Sequence, residues 1–224
     1  MSASQSLIGG APPSPRTRVR KSDRAVYDRA VVAAILDEAL FCHVGFVVDD
    51  QPYVIPTIHA RVDDLLYIHG APATRMLRAM RGGVPVCVTV TLVDGLVMAR
   101  SAFHHSMNYR SAVVLGTATQ VTDAGEKLEA LEAIVEHVAP GRRAHCRAPN
   151  SKELAQTQVL SVPISEASAK VRTGPPVDDD DDLDLDVWAG VIPLKLAVAM
   201  PIDDPLLQAG IAAPDYAVRY ERSR

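Results

Sequence analysis

The apolar and polar positions of this chain follow two different periods, and the change of period separates helices from strands. Apolar residues recur at helical spacing over about residues 23–38, which predicts an amphipathic helix capped by Ser22 or Asp23. The segment PATRMLRAMRGG predicts a second, short helix, because proline stands near its start and two glycines stand past its end. The segment AGEKLEALEAIVEHVAP predicts a third helix, capped by Asp123.

Short β-rich runs fill most of the remaining chain. Three of them, at about residues 40–48, 52–60 and 63–69, are separated by aspartate-rich turns and predict antiparallel hairpins. The Asp94-Gly95 pair predicts another hairpin between VPVCVTVTLV and LVMARSAF. Further strands are predicted in YRSAVVLGTATQVT and TQVLSVPISEASAKVRTG. The pattern indicates a mainly β, antiparallel α+β fold, a small β-barrel with flanking helices. The absence of βαβ alternation and of a GxGxxG sequence argues against a Rossmann domain.

The same pattern suggests one domain with two extensions. The Ser-, Pro- and Arg-rich residues 1–21 predict a disordered tail, residues 22–200 the domain, and residues 201–224 a C-terminal extension. The run DDDDDLDLD at residues 178–186 favours an exposed loop, because adjacent carboxylates repel one another. This acidic run lacks the glycine turns of a calcium-binding loop, which argues against a calcium site there.

Composition excludes several classes of function. The 224 residues are 48% hydrophobic and carry a net charge of −4, so no broad basic surface is expected to bind nucleic acid. The three cysteines, Cys42, Cys87 and Cys146, form no CxxC pair, which argues against a disulfide framework or a structural zinc site. A cytoplasmic protein is expected, with no signal peptide and no transmembrane helix.

Two segments suggest a site for an anionic ligand. In YVIPTIH, Pro56 removes a backbone donor from a strand, which is typical of an edge or of a barrel rim. In YIHGAPATRMLR, a helix begins near Thr74 and Arg75, whose hydroxyl and guanidinium suit a phosphate. The alternative for the second segment is an ordinary capped helix with solvated arginines.

Two more segments add to this pattern. In SMNYRSAVVLG, Arg110 and Ser111 stand at the mouth of an apolar strand, where they form either half of an anion site or a solvated edge. In VWAGV, Trp188 either packs on a ligand ring or belongs to the core.

Histidines are the candidate catalytic side chains, but no spacing forces them together. His104 and His105 are adjacent and point to opposite faces of a strand, so they do not suit one metal ion. His43, His59 and His69 lie on successive predicted strands, where a core or rim position is the alternative. No GxSxG nucleophile motif is present. No metal site is expected.

The four segments YVIPTIH, LYIHGAPATRMLR, FHHSMNYRSAVVLG and VWAGVIPL resemble, in this order, the pyridoxamine 5′-phosphate oxidase-related flavoproteins. The branch that includes the nitroimidazole-resistance proteins is the most similar. The resemblance spans about residues 23–200. It implies a split β-barrel that forms a homodimer and binds FMN at the subunit interface.

The resemblance also implies roles for individual residues. The strand around Ile55, Pro56 and Thr57 would line the isoalloxazine and the ribityl chain. The phosphate would be flanked by Ile68 and His69 and contacted by Thr74, Arg75, Arg110 and Ser111. Trp188 would approach the flavin from the other subunit.

One departure from the family limits the expected activity. The oxidases carry an Arg-x-His arrangement soon after the tryptophan, and VWAGVIPLKLAVAM has neither residue. Pyridoxamine phosphate is therefore not the expected substrate. The resemblance implies instead an FMN-dependent oxidoreductase acting on another small molecule, with His59, His69 and His105 as candidates for proton transfer.

Three alternatives remain open on the sequence alone. The first is a flavin-binding or redox-sensing module without turnover. The second is a split barrel that holds a deazaflavin coenzyme or a haem, the latter requiring an axial histidine. The third is a structural domain whose arginines are merely solvated.

Overall fold

The computed structural model describes residues 9–221, which form two compact units that interleave along the chain. The first unit contains the described residues up to 39 together with residues 89–114 and 166–196. The second contains residues 40–88 and 115–165 and the described residues from 197 onward.

The described helices and strands alternate irregularly along the chain. The helices are α1 (Arg29–Glu38), α2 (Arg75–Ala79), α3 (Ala124–Val138), α4 (Ser151–Gln156) and α5 (Asp215–Val218). The strands are β1 (Ala25–Val26), β2 (Cys42–Val48), β3 (Gln51–Thr57), β4 (His59–Val62), β5 (Leu65–Gly70), β6 (Val84–Met98), β7 (Ser106–Gln120), β8 (Gln158–Pro163), β9 (Ala167–Arg172) and β10 (Gly190–Pro193).

The first unit is an antiparallel sheet with one helix against it. Its strands follow the order β1-β9-β7-β6-β10. Helix α1 begins at Arg29, because the Asp28 side chain accepts hydrogen bonds from the backbone of Ala30 and Val31 at 2.8 and 3.1 Å. The predicted helical start at residues 22–23 is therefore wrong, since residues 25–26 pair with β9.

The second unit is a meander packed against helix α3. Hairpins β2–β3 and β4–β5 are antiparallel as predicted, and the turns between their strands place Asp49, Asp50 and Asp63 at positive φ. The predicted strand over residues 52–60 is in fact two strands, β3 and β4, which are interrupted at Ile58. Helix α3 begins after its predicted cap, Asp123, and buries Ala130 in a core cluster with Tyr67, Val121 and Val159.

Strands β6 and β7 each contribute residues to both units. The predicted hairpin turn at Asp94-Gly95 is wrong, because β6 runs without a turn from Val84 to Met98. Neither residue has the positive φ that the expected turn requires. Gly95 instead pairs with Pro193 of β10, and a Cβ at this position would lie 3.0 Å from the Ile192 carbonyl oxygen. The glycine is thus explained by close strand approach.

The acidic run was expected to be an exposed loop, and this is correct only in part. The Asp178 carboxylate accepts hydrogen bonds from the backbone and the guanidinium of Arg100 at 2.9 and 3.0 Å. The side chain of Asp179 lies 3.2 Å from that of His104. Asp178 and Asp179 therefore bind the acidic segment to the connection between β6 and β7, while Asp184 and Asp186 are exposed.

The terminal segments contain short elements. Within the predicted N-terminal tail, a 3₁₀ turn spans Pro15–Thr17 and Thr17 is buried, while the extent of the tail stays a prediction. The rest of the predicted tail, residues 1–8, lies outside the described residues. The C-terminal extension contains α5.

The mainly antiparallel β fold with flanking helices is confirmed. In the second unit the strand order is β3-β2-β6-β7-β8-β5-β4, and the described residues show no pairing that closes this sheet on itself. Within residues 9–221, every helix is too short or too polar to cross a membrane.

Candidate cofactor cavity

A cavity of about 540 Å³ opens in the second unit, between strand β5, helix α3 and the connection that follows this helix. Its apolar wall consists of Leu131, Ile134 and Val135 of α3. The opposite part of the lining comes from Arg143, from residues 146–149, and from Glu153 and Thr157. The volume is typical of sites for a cofactor-sized ligand.

His69 of β5 contributes an imidazole to the wall of this cavity. Its Nδ1 atom is buried, and no described residue supplies a hydrogen-bond partner for it. Burial lowers the pKa of His69, so the ring is neutral near pH 7. A buried Nδ1 atom without a hydrogen-bond partner carries a cost in desolvation, and the neutral imidazole has the protonation state that binds a metal ion.

Two arginine–glutamate pairs stand at the rim of the cavity. Arg143 contacts Glu132 at 2.5 Å. Arg147 forms two hydrogen bonds with Glu153, one of them 2.8 Å long, and these bonds lower the pKa of Glu153 to about 2. The rim thus holds two guanidinium groups that already bind carboxylates.

The histidines predicted as catalytic are not equivalent. His59 is completely buried in β4, opposite Ile68, and its ring centre lies 4.7 Å from that of His137. It belongs to the core of the second unit and is absent from the cavity lining. His105 belongs to the first unit, where its Nδ1 lies 2.9 Å from the Ser101 carbonyl oxygen. Only His69 lines the cavity, and the catalytic role of all three stays a prediction.

The strand predicted to line a flavin is an edge strand. Strand β3 pairs only with β2 among the described residues, and Ile55 and Thr57 are half-buried while Pro56 is exposed. The Arg75 guanidinium lies over the Tyr53 ring, 4.5 Å from its centre, so β3 and α2 present their side chains to the same place.

The residues predicted around the phosphate occupy different environments. Thr74 caps helix α2, and its hydroxyl accepts a hydrogen bond from the Leu77 backbone at 3.4 Å. Ile68 is completely buried in β5, so its side chain belongs to the core. Their roles at a phosphate stay predictions, and Thr74 with Arg75 has the more accessible position.

Arg110 and Ser111 lie in the first unit, on β7. The Arg110 guanidinium donates to Asp94 at 2.8 and 3.0 Å and to Glu38 at 2.9 Å, with a further hydrogen bond to Glu38. These bonds raise the pKa of Arg110. Ser111 donates to the Lys170 carbonyl oxygen at 3.4 Å. The predicted position at a strand mouth is wrong, because β7 already begins at Ser106 and Arg110 lies within it. Two carboxylates of its own unit bind Arg110, so its predicted contact with a phosphate would require it to leave them.

Trp188 precedes β10 in the first unit and is 66% exposed. Its indole lies against Gly190, where a Cβ would come within 2.9 Å of the ring. The alternative that it is a core residue is therefore wrong. Its predicted approach to a flavin stays a prediction.

Sequence reasoning missed the connection after α3, which it treated as irregular. This connection supplies Arg143, Cys146 and Arg147 to the cavity. The signal that could have revealed it is the density of basic residues in GRRAHCRAPN, directly after an amphipathic helix whose apolar face needs a partner.

Comparisons with known proteins agree with the predicted resemblance. The family model described as pyridoxamine 5′-phosphate oxidase matches residues 28–171. No curated protein matched the sequence.

Three solved structures are similar over most of the chain. The flavocytochrome Anf3 from Azotobacter vinelandii is 39% identical with a TM-score of 0.89, over 96% of this chain and 100% of that one. The FAD and haem binding protein from Mycobacterium smegmatis is 37% identical with a TM-score of 0.82, over 86% and 95% of the two chains. A protein described as a 5-nitroimidazole antibiotic resistance protein, from Bacteroides thetaiotaomicron, is 25% identical with a TM-score of 0.56, over 66% and 86%.

Proposed function

The chain belongs to the pyridoxamine 5′-phosphate oxidase family, and on this premise we propose that it is a redox protein that binds both a flavin nucleotide and a haem. The observation that carries this proposal is the cavity with its buried, unpartnered His69 imidazole. The two relatives with 39% and 37% identity, a flavocytochrome and an FAD and haem binding protein, support it.

The residues around the cavity fit a haem. His69 would supply a nitrogen ligand to the iron, and its burial keeps the imidazole neutral, as metal binding requires. The apolar face of α3, with Leu131, Ile134 and Val135, would cover the macrocycle and exclude water. Arg143 and Arg147 at the rim would bind the propionates, exchanging their present glutamate partners for ligand carboxylates.

A flavin fits a different part of the second unit. Arg75 stacks on Tyr53, which leaves the in-plane N–H groups of its guanidinium available for a phosphate. The backbone of the edge strand β3, around Ile55, Pro56 and Thr57, is available to the ring system. The family resemblance implied FMN, whereas one of the relatives is an FAD and haem binding protein. The identity of the bound flavin, FMN or FAD, is therefore the first property to determine.

When bound, the two groups would supply hydride, single-electron and oxygen chemistry that no side chain provides. The protein would orient them and keep His69 neutral. Segment 188–200 contains neither arginine nor histidine, so a small molecule other than pyridoxamine phosphate is the proposed substrate. We also propose that two copies of the chain form a homodimer and share the flavin, with Trp188 reaching it from the partner.

The absorption spectrum of the purified protein tests this proposal. We expect a Soret band together with flavin bands, and mass analysis of the heat-released ligand should identify FMN or FAD. Flavin bands without a Soret band, even after added haemin, would reject the haem half of the proposal. A protein that takes up neither group would reject it entirely. A protein that binds both but transfers no electrons from a nicotinamide donor would instead be a binding or sensing module.

A further inference from the structure

A segment near the C-terminus has the pattern of a half-buried strand but is exposed. Large apolar residues occupy every second position of residues 192–202, and prolines, alanines and one lysine occupy the positions between them. The apolar set and its exposed fractions are Ile192 44%, Leu194 41%, Leu196 74%, Val198 54%, Met200 73% and Ile202 96%. We call residues 192–202 the C-terminal arm.

The arm is anchored at its start. Ile192 and Pro193 pair with β6, and the Leu194 backbone donates to the Asp94 carbonyl oxygen at 3.0 Å. The following residues up to 202 form no strand or helix.

A strand with alternating apolar side chains normally buries one face. The alternating apolar residues of the arm are instead exposed within the described chain, although they are as apolar as those of a core strand. A contiguous exposed apolar row of this length marks a surface that another molecule covers.

The charges around the arm favour a protein over a membrane surface as the covering molecule. Asp184 and Asp186 precede the arm, and Asp203 and Asp204 follow it directly. Lys195 is the only basic residue within it. Segments that lie on lipid carry basic residues instead, because cellular leaflets are often anionic.

The chain itself carries a complementary apolar surface. On the hairpin β2–β3 and at the residue before it, the exposed side chains include Val47 at 55%, Val54 at 67% and Phe41 at 51%. Val47 pairs with Pro52, and Gly45 pairs with Val54, so these residues share one uncharged face of the hairpin. A molecule that carries both an apolar arm and an apolar face can pair with itself about a two-fold axis.

The available area is sufficient for a stable dimer. Burying one such side chain removes roughly 60–120 Å² of apolar surface, so the six side chains of the arm offer roughly 400 Å². In a two-fold dimer each copy contributes both its arm and its receiving face. The interface then reaches roughly 800 Å² per partner, the standard size for a specific complex.

We propose that the C-terminal arm is a dimerisation strand that lies on the outer face of the β2–β3 hairpin of a second copy of this chain. The inference gives the homodimer of the proposed function a structural basis. It depends on dimerisation alone and is independent of which cofactors are bound.

The alternation within the arm provides a matched pair of variants. Val198→Asp places a carboxylate on the apolar face, and Ala199→Asp places the same carboxylate on the opposite face one residue away. We expect sedimentation velocity to show a dimer for the full chain and for Ala199→Asp. Val198→Asp should raise the dimer dissociation constant at least about 100-fold, and Val198→Ala should raise it about tenfold.

A variant of the receiving face completes the test. Val54→Asp should also dissociate the dimer, and adding Val198→Asp to it should cause no further loss, because both remove the same contact. Circular dichroism of each variant controls for folding, which a change in an exposed side chain should leave intact.

Several results would overturn the inference. They are a monomeric full chain, a dimer that tolerates Val198→Asp, or equal weakening by Val198→Asp and Ala199→Asp. Co-sedimentation of the full chain with phosphatidylcholine vesicles, lost in Val198→Asp, would assign the arm to lipid instead. The absorption spectrum is recorded separately, so cofactor binding and arm-mediated dimerisation can fail independently.

Discussion

Arg110 in the first unit and His69 in the second are both polar residues on strands, and both were predicted to contact a cofactor. Their surroundings differ sharply. Two carboxylates of the first unit bind the Arg110 guanidinium, whereas no described residue binds the buried Nδ1 of His69. A polar group that its own unit satisfies has a structural role already, and one left unsatisfied inside a cavity points to a ligand.

Replacing Arg110 is expected to change the stability of the protein more than any other variant proposed below. Arg110→Ala leaves Glu38 and Asp94 close together without their shared cation. We expect the free energy of unfolding to fall by about 2–4 kcal/mol, below the full cost of breaking a buried pair because all three side chains are partly exposed. Urea denaturation measures it, with the exposed Arg18→Ala as the control, expected within about 0.5 kcal/mol of the parent.

The same variant also tests whether Arg110 binds a phosphate. If Arg110→Ala keeps its stability but loses flavin affinity, the arginine is a phosphate ligand as the resemblance implied, and its carboxylate partners are incidental.

A smaller effect concerns the pH dependence of stability. Burial lowers the pKa of His69 in the folded, cofactor-free protein. Below about pH 6.5, the ordinary pKa of histidine, the unfolded chain therefore binds a proton that the folded chain resists. The free energy of unfolding should decrease as the pH falls through this range and should be unaffected by His69 at pH 8.

The matched variant is His69→Gln, which cannot titrate. Its stability should depend less on pH between 8 and 5 than that of the parent, as measured by urea denaturation at each pH. An unchanged slope would show that the His69 imidazole protonates as readily in the folded protein as in the unfolded chain.

Local sequence signals predicted most of the fold. Alternation predicted the β2–β3 and β4–β5 hairpins, and Asp123 marked the start of α3, because these signals act within a few residues. The hairpin turn predicted at Asp94-Gly95 was wrong for a physical reason. Asp-Gly favours a tight turn only where the chain must reverse, and here β10 pairs alongside Gly95 and keeps β6 straight.

The candidate site was less predictable because its parts come from distant segments. The sequence singled out His69 but could not separate it from His59, since burial and partners decide between them. It placed Arg110 at a strand mouth but could not show Glu38, 72 residues away, binding it. Arg143 and Arg147 could not be predicted as cavity residues, because the irregular connection after α3 that contains them has no periodic pattern.

A titration of the cofactor-free protein with haemin, followed by its Soret absorbance, tests whether His69 and its cavity bind a haem. Saturable binding is expected for the parent and for the control His104→Ala, whose histidine belongs to the first unit. His69→Ala should lose the band or bind at least about 100-fold more weakly, since it removes the proposed nitrogen ligand. Equal affinity and an identical band in His69→Ala would contradict the assignment of the cavity as a haem site.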